Sequence, residues 1–158
     1  MTADIELYYP LRAGLVFDYR YSDPSTADEA RLGRRCVSFE RTAKGDLARF
    51  EDVIVGNGEP QRREFDVLRT ERSVKEGQIL VLQTPLVVGT TWASGPDDFE
   101  IDAIEDVTVT LGLFKACLRV TYSNEDIGGG SMWFSRERGL VKAEQYGERG
   151  PFVMELAA

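Results

Sequence analysis

Six acidic side chains, Asp97, Asp98, Glu100, Asp102, Glu105 and Asp106, fall within ten residues that contain no base. Clustered carboxylates can bind Ca²⁺ or, as a facing pair, divide acid and base roles in a hydrolysis. Here Glu100, Asp102 and Asp106 alternate with apolar residues, which puts them on the wet face of a strand and favours a solvated surface. Asn124-x-Asp126-x-Gly128 begins like a calcium loop, but its fifth and twelfth positions are Gly128 and Ser135, where ligands are required. Gly128-Gly129-Gly130 could hold an anion on its backbone amides. No helical pattern follows it and no Gly-Lys-Ser/Thr is present, so a hairpin loop is the better reading. The chain has no histidine, which removes His-based triads, His general bases and His metal ligands together. Cys36 and Cys117 are too few for a Cys-rich zinc site. They are expected as reduced, partly buried thiols, with a disulfide the alternative in an exported chain. No catalytic residue, metal or cofactor is therefore expected. Carboxylate-dependent hydrolysis is the one enzymatic reading these residue types leave open.

The elements that must position these residues are organised around Phe99–Tyr122. Phe99, Ile101, Ala103, Glu105, Val107, Val109 and Leu111 form one row, apolar except for Glu105. Past Gly112, Phe114, Ala116, Leu118, Val120 and Tyr122 form another. Period 2 over this length predicts a long hairpin with its turn at Leu111-Gly112-Leu113. A flat strand from Phe99 to Leu111 would reach roughly 43 Å at about 3.3 Å per residue, too long for the domain, so a bulge is expected at Glu105.

Strands are also predicted at Leu15–Tyr21, Arg34–Thr42, Leu47–Val55, Arg62–Glu71, Gln78–Gln83, Met132–Ser135, Leu140–Tyr146 and Phe152–Leu156, with Gly- and Pro-rich turns between them. The second to fourth strands carry charge on both faces, which suggests strands near a sheet edge or with ends projecting past the core. Thr26 and Glu29 could form a capping box for a short helix ending at Gly33, with a polar loop the alternative. Pro10-Leu11-x-x-Gly14-x-x-Phe17 is echoed by Pro85-Leu86-x-x-Gly89-x-x-Trp92. The echo is either chance in a punctuated β chain or a weak internal duplication. The expected fold is all-β: a curved antiparallel sheet of about ten strands, closing into a half-barrel or barrel, with at most one or two short helices. Residues 1–158 read as a single domain.

The apolar rows supply the candidate ligand-binding residues: Trp92, Phe99, Ile101, Val107, Val109, Phe114, Leu118, Val120, Tyr122 and Trp133, with Glu105 as a polar anchor. A filled core is the competing role for them, because small barrels pack their interiors. The candidate partners are an apolar small molecule or lipid, and a protein partner or second copy using a sheet edge or the acidic face. The net charge of −8 makes nucleic acid and anionic membrane poor partners. No apolar run approaches the roughly 20 residues of a membrane helix.

Four segments carry a family resemblance. They are Tyr8-Tyr9-Pro10-Leu11-x-x-Gly14-x-x-Phe17-x-Tyr19, Pro85-Leu86-x-x-Gly89-Thr90-Thr91-Trp92, Val107-Thr108-Val109-x-x-Gly112-x-Phe114-x-x-Cys117-Leu118-Arg119-Val120, and Met132-Trp133-Phe134 with Gly139-Leu140-Val141-Lys142. Together they resemble a group of uncharacterised bacterial β-rich proteins, many exported or lipid-anchored. The resemblance implies a curved, partly closed sheet similar to that of periplasmic lipoprotein carriers, which hold acyl chains in an apolar concavity. It brings no catalytic motif. Met-Thr-Ala-Asp-Ile-Glu at the start has neither a basic nor an apolar leader region, so the sequence as written predicts a cytoplasmic location. A chain trimmed of its leader would look the same.

Overall fold

The computed structural model describes residues 3–23 and 29–158. Among them are a six-residue helix, α1 (Ala3–Tyr8), and twelve strands. The first six strands are β1 (Val16–Ser22), β2 (Glu29–Thr42), β3 (Gly45–Val55), β4 (Gln61–Arg69), β5 (Ser73–Glu76) and β6 (Ile79–Gln83). The second six are β7 (Thr91–Ser94), β8 (Asp97–Val109), β9 (Gly112–Asn124), β10 (Gly128–Ser135), β11 (Gly139–Gln145) and β12 (Phe152–Leu156). All pair antiparallel in one sheet of order β6-β5-β4-β3-β2-β1-β12-β11-β10-β9-β8-β7. The fold is thus an all-β, nearly closed barrel. The two strands beyond the expected ten are β5 and β7, each four residues long and too short to show a period.

The order amounts to two six-stranded meanders joined where β1 pairs β12. The echoed motifs enter them at equivalent places. Gly14 N donates to Cys36 O, Cys36 N to Leu15 O, and Leu15 N to Arg12 O. In the second half Gly89 N donates to Ile101 O, Ile101 N to Thr90 O, and Thr90 N to Val87 O. The first register shift of the long second strand follows directly, between Cys36 and Ser38 in one half and Ile101 and Ala103 in the other. Gly14 and Gly89 hold φ of 85° and 103°, a conformation glycine adopts without a Cβ penalty.

The long hairpin forms, with Thr110 and Leu111 as its turn in place of Leu111-Gly112-Leu113, and it bends at two bulges where one was expected. β8 shifts register between Ile101 and Ala103 and again between Glu105 and Val107. Each bulge turns the strand and reverses the alternation. The tip then folds back across two strands: Leu111 N donates to Leu156 O on β12 at 3.0 Å, and Thr110 Oγ1 bonds the Glu155 carboxylate. Trp133-Phe134-Ser135 on β10 and Leu140-Val141 on β11 are buried in succession, so both faces of these strands are covered. The folded tip and α1 are the elements that reach them.

Three local expectations change. β2, β3 and β4 lie inside the sheet order, and their charges are cross-strand pairs rather than a sign of edges. The inner row of β3 is Ala48, Phe50 and Asp52, so Leu47, Arg49 and Glu51 belong to the outer face. Of the proposed short helix, Thr26 lies outside the described residues, and Glu29–Gly33 is strand paired with β1. Among the described residues the helices are α1 and a single 3₁₀ turn at Gly147–Arg149, neither of them where a helix was expected.

Candidate functional site at the open end of the barrel

The two ends of the barrel differ. At one end α1 lies across the turns. Glu137 N, in the β10–β11 turn, donates to Leu7 O, and Arg69 Nη1 donates to Tyr9 O at 2.7 Å. Ile5, Tyr8, Tyr9 and Leu11 are buried there, the Tyr9 ring 6.2 Å from that of Phe134. The space between Tyr9, Phe17, Tyr19, Arg34, Phe50 and Leu140 is only about 10 Å³. The deep interior is therefore filled. Larger depressions, of about 380 Å³ beside α1 and about 500 Å³ along Thr91, Asp98 and Thr121, open to solvent.

At the opposite end α1 is absent and the inward-facing side chains are only half buried. Tyr21 (β1), Ile54 (β3), Phe65 (β4), Tyr122 (β9), Met132 (β10) and Phe152 (β12) line it. Tyr21 and Phe152 meet edge to face with centroids 5.3 Å apart. Val55, Ile79 and Tyr146 add exposed apolar surface at the rim.

One wall of the interior is ionic. Arg34 and Asp52, 6% and 1% exposed, form a two-point pair across β2 and β3 at 2.8 and 3.0 Å. Arg63 on β4 donates to the same carboxylate at 2.9 Å from the rim. Burial by itself would raise the Asp52 pKa; the hydrogen bonds and charges of Arg34 and Arg63 outweigh it and hold the carboxyl below its usual range. Burial likewise opposes the charge on Arg34, and Asp52 with nearby Glu76 keeps it protonated. Burial also pushes the Tyr9 phenol well above its usual range, helped by Glu76, whose carboxylate accepts its hydrogen bond. Asp52, Arg34 and Tyr9 are thus each held by hydrogen-bonding partners and each shifted away from neutrality.

The facing wall is aromatic. Trp92, Phe99 and Tyr122 stack across β7, β8 and β9, with centroid spacings of 5.6 and 5.4 Å. Gly130 on β10 continues the row opposite Tyr122. A Cβ at Gly130 would come within 2.6 Å of the Tyr122 hydroxyl, so glycine leaves room for the ring. Tyr122 donates to Gln145 Oε1 at 3.0 Å and carries the Arg149 guanidinium 5.5 Å from its ring centroid. Burial pushes its phenol up to about 12.

The structure brings six of the sequence-predicted residues, Trp92, Phe99, Ile101, Leu118, Val120 and Tyr122, to the inner face. Phe99 and Tyr122 reach the open end, while Ile101, Leu118 and Val120 are core. The other five lie elsewhere. Trp133 pairs in register with Arg119 and Lys142, its ring 5.2 Å from the Lys142 ammonium, and its indole faces Glu105 at 3.4 Å on the outer face. Glu105 is itself paired with Arg119 at 2.9 Å. Val107, Val109 and Phe114 follow the second bulge and belong to the folded-back tip. Tyr21, Ile54, Phe65 and Phe152 were missed, although period 2 places Tyr21 and Phe65 on apolar rows. The acidic run is dispersed into pairs, with Asp102 on Arg119 and Asp97 on Arg149. Among the described residues, no group of three or more acidic or cysteine side chains is placed to hold a metal.

Cys36 and Cys117 are free and buried. Burial, then Asp106 and Glu105, push the Cys117 thiol up to about 11, and burial raises Cys36 as well. The thiolate is the reactive species. Neither thiol is expected to react with a disulfide reagent at pH 8 within minutes, and both should react once the protein is denatured. Rapid reaction of the native protein would contradict the packing around them.

Comparison with solved structures adds the fold. A candidate exported protein with a YmcC-like fold from Bacteroides fragilis NCTC 9343 superposes with a TM-score of 0.71 at 12% identity. The match covers 96% of this chain and 97% of that one. The chain shares that fold. A candidate lipoprotein from Parabacteroides distasonis ATCC 8503 gives a TM-score of 0.67 at 14% identity over the same shares. No family model and no curated protein sequence matches. At such identities the likeness speaks for the backbone and not for a shared ligand.

Proposed function

We propose that this is a non-catalytic binding domain that takes the apolar part of a small ligand or lipid at the open end of its barrel. The observation carrying this reading is the gradient along the inner face, sealed by α1 at one end and left half exposed at the other by aromatic and aliphatic side chains. An apolar concave surface with a few polar groups at its margin is the usual form of a small-molecule site. The filled interior limits the ligand to the mouth unless core side chains move, and flexible Met132 is the readiest to do so. The descriptions of both structural neighbours support an exported setting, in which lipids are at hand. The cytoplasmic expectation drawn from the first residues finds no support in them.

The test is titration with a fluorescent fatty-acid probe, alongside native mass spectrometry of protein purified from cells. Saturable one-to-one binding is expected. Phe152→Asp, which puts a charge among apolar groups, should weaken it by about tenfold or more while circular dichroism stays native. A clean apo mass with no probe binding would overturn the proposal. If the mass also rose with concentration, a protein-docking module would replace it, with Leu111 and Leu113 exposed on the folded tip as its surface.

A further inference from the structure

The barrel has one junction unlike the rest. β6 and β7 end the sheet order, adjacent in space but outside the backbone ladder. The two contacts that bridge them come from side chains. Leu80 N donates to Ser94 Oγ at 2.9 Å, and Trp92 Nε1 donates to Leu80 O at 2.9 Å. Both backbone groups of Leu80 are thus held by β7 side chains in place of a strand. The equivalence of the two halves makes this informative. β7 corresponds to β1 and β6 to β12, so the β6–β7 junction is the counterpart of β12–β1. That counterpart is zipped by a backbone ladder from Tyr19↔Leu156 to Ser22↔Val153.

The chain path ties the two strands together at one end, where Thr84 N donates to Arg72 O and Gly89 N to Ile101 O. β6 runs from the open end toward the α1 end and β7 returns, joined by Thr84–Thr90 at the α1 end. The two strands can therefore part only from the open end. Trp92, whose indole spans the junction, is also the first ring of the stack that leads to Phe99 and Tyr122. Parting the junction would widen the mouth and lay that stack bare. Short strands held by few bonds are the segments that open locally at low cost.

We infer that the β6–β7 junction is a lateral portal, through which the acyl or other apolar chain of a ligand reaches the aromatic stack of an otherwise filled barrel. This rests on the proposed binding function. Trp92 and Ser94 act as its latch.

Two measurements on the full chain test it. The first, with no ligand, is hydrogen exchange at the Leu80 amide and the Trp92 indole N–H, against the ladder amides of β1 and β12. Exchange at the junction is expected to be at least tenfold faster than in the ladder. Equal protection would overturn the portal. The second is stopped-flow uptake of the fatty-acid probe by Trp92→Phe/Ser94→Ala, which removes both latching bonds, and by a Leu80→Cys/Ser94→Cys variant joined with a short bis-maleimide. Uptake should be about tenfold faster in the first, since two hydrogen bonds are lost, and should stop in the second. Unchanged uptake rates in both would overturn the portal and leave binding at the mouth standing. Absence of binding in the wild type would remove both.

Discussion

Asp52→Asn is expected to lower the unfolding free energy at pH 7 by about 3–5 kcal/mol, the cost of leaving a buried charge without its partner. Arg34 would remain inside the barrel with one carbonyl oxygen in place of a two-point carboxylate, and Arg63 would lose its acceptor. Urea denaturation of the two proteins measures this. Arg34→Met/Asp52→Leu should recover most of the loss, because removing both charges also removes both desolvation costs. The dependence on pH carries a sign. The folded state holds the Asp52 pKa below its unfolded value of about 4, so its contribution is complete above that value. It is lost as pH falls through the lower folded value. The gap between wild type and Asp52→Asn should therefore narrow below about pH 4. Equal stability at pH 7 would mean that the pair is not closed as described.

Gly129→Ala is expected to cost about 3 kcal/mol or more and to leave little native protein. A Cβ at this position would overlap the Tyr122 carbonyl oxygen and lie 2.8 Å from Ser123 Cα. Both belong to the backbone of β9, which pairs β10 through Ser123↔Gly129, so neither can give way without unzipping the sheet. Gly33→Ala is the control. It is also a glycine within a strand, but nothing lies within 4 Å of its Cβ, so that variant should gain about 0.5–1 kcal/mol. Thermal melts of the two variants should move in opposite directions. A tolerated Gly129→Ala would contradict the close approach of β9 and β10.

These two sites also show where the sequence could be read and where it could not. The hairpin from Phe99 to Tyr122 was legible, with the bulge after Glu105 but not the one after Ile101, because one strand's alternation reports its own two faces. Asp52 was not. On β3 the charges on both faces looked like a poor strand, and only the arrival of Arg34 and Arg63 on neighbouring strands makes Asp52 an inner residue with partners. Gly129 read as a loop glycine, because its crowding comes from β9. Val107 and Val109 were placed with Phe99, because a bulge shifts the alternation by a residue without marking which residue is extra; Trp133 was placed with them as an aromatic near a strand start, and its neighbours Arg119 and Lys142 put it on the outer face. Tyr21 and Phe152 were missed as a pair, because their strands lie at opposite ends of the chain and meet only through the β1–β12 ladder.

The order of residues by itself determined the all-β class, the long bent hairpin and the two echoed turns. Each depends on side chains a few positions apart and on glycine's freedom at positive φ. Closure into a barrel, the plug by α1, the open end and the side-chain latch at β6–β7 were decided by tertiary structure alone. They depend on which strand edges meet, and that is fixed by the summed twist and bulges of twelve strands.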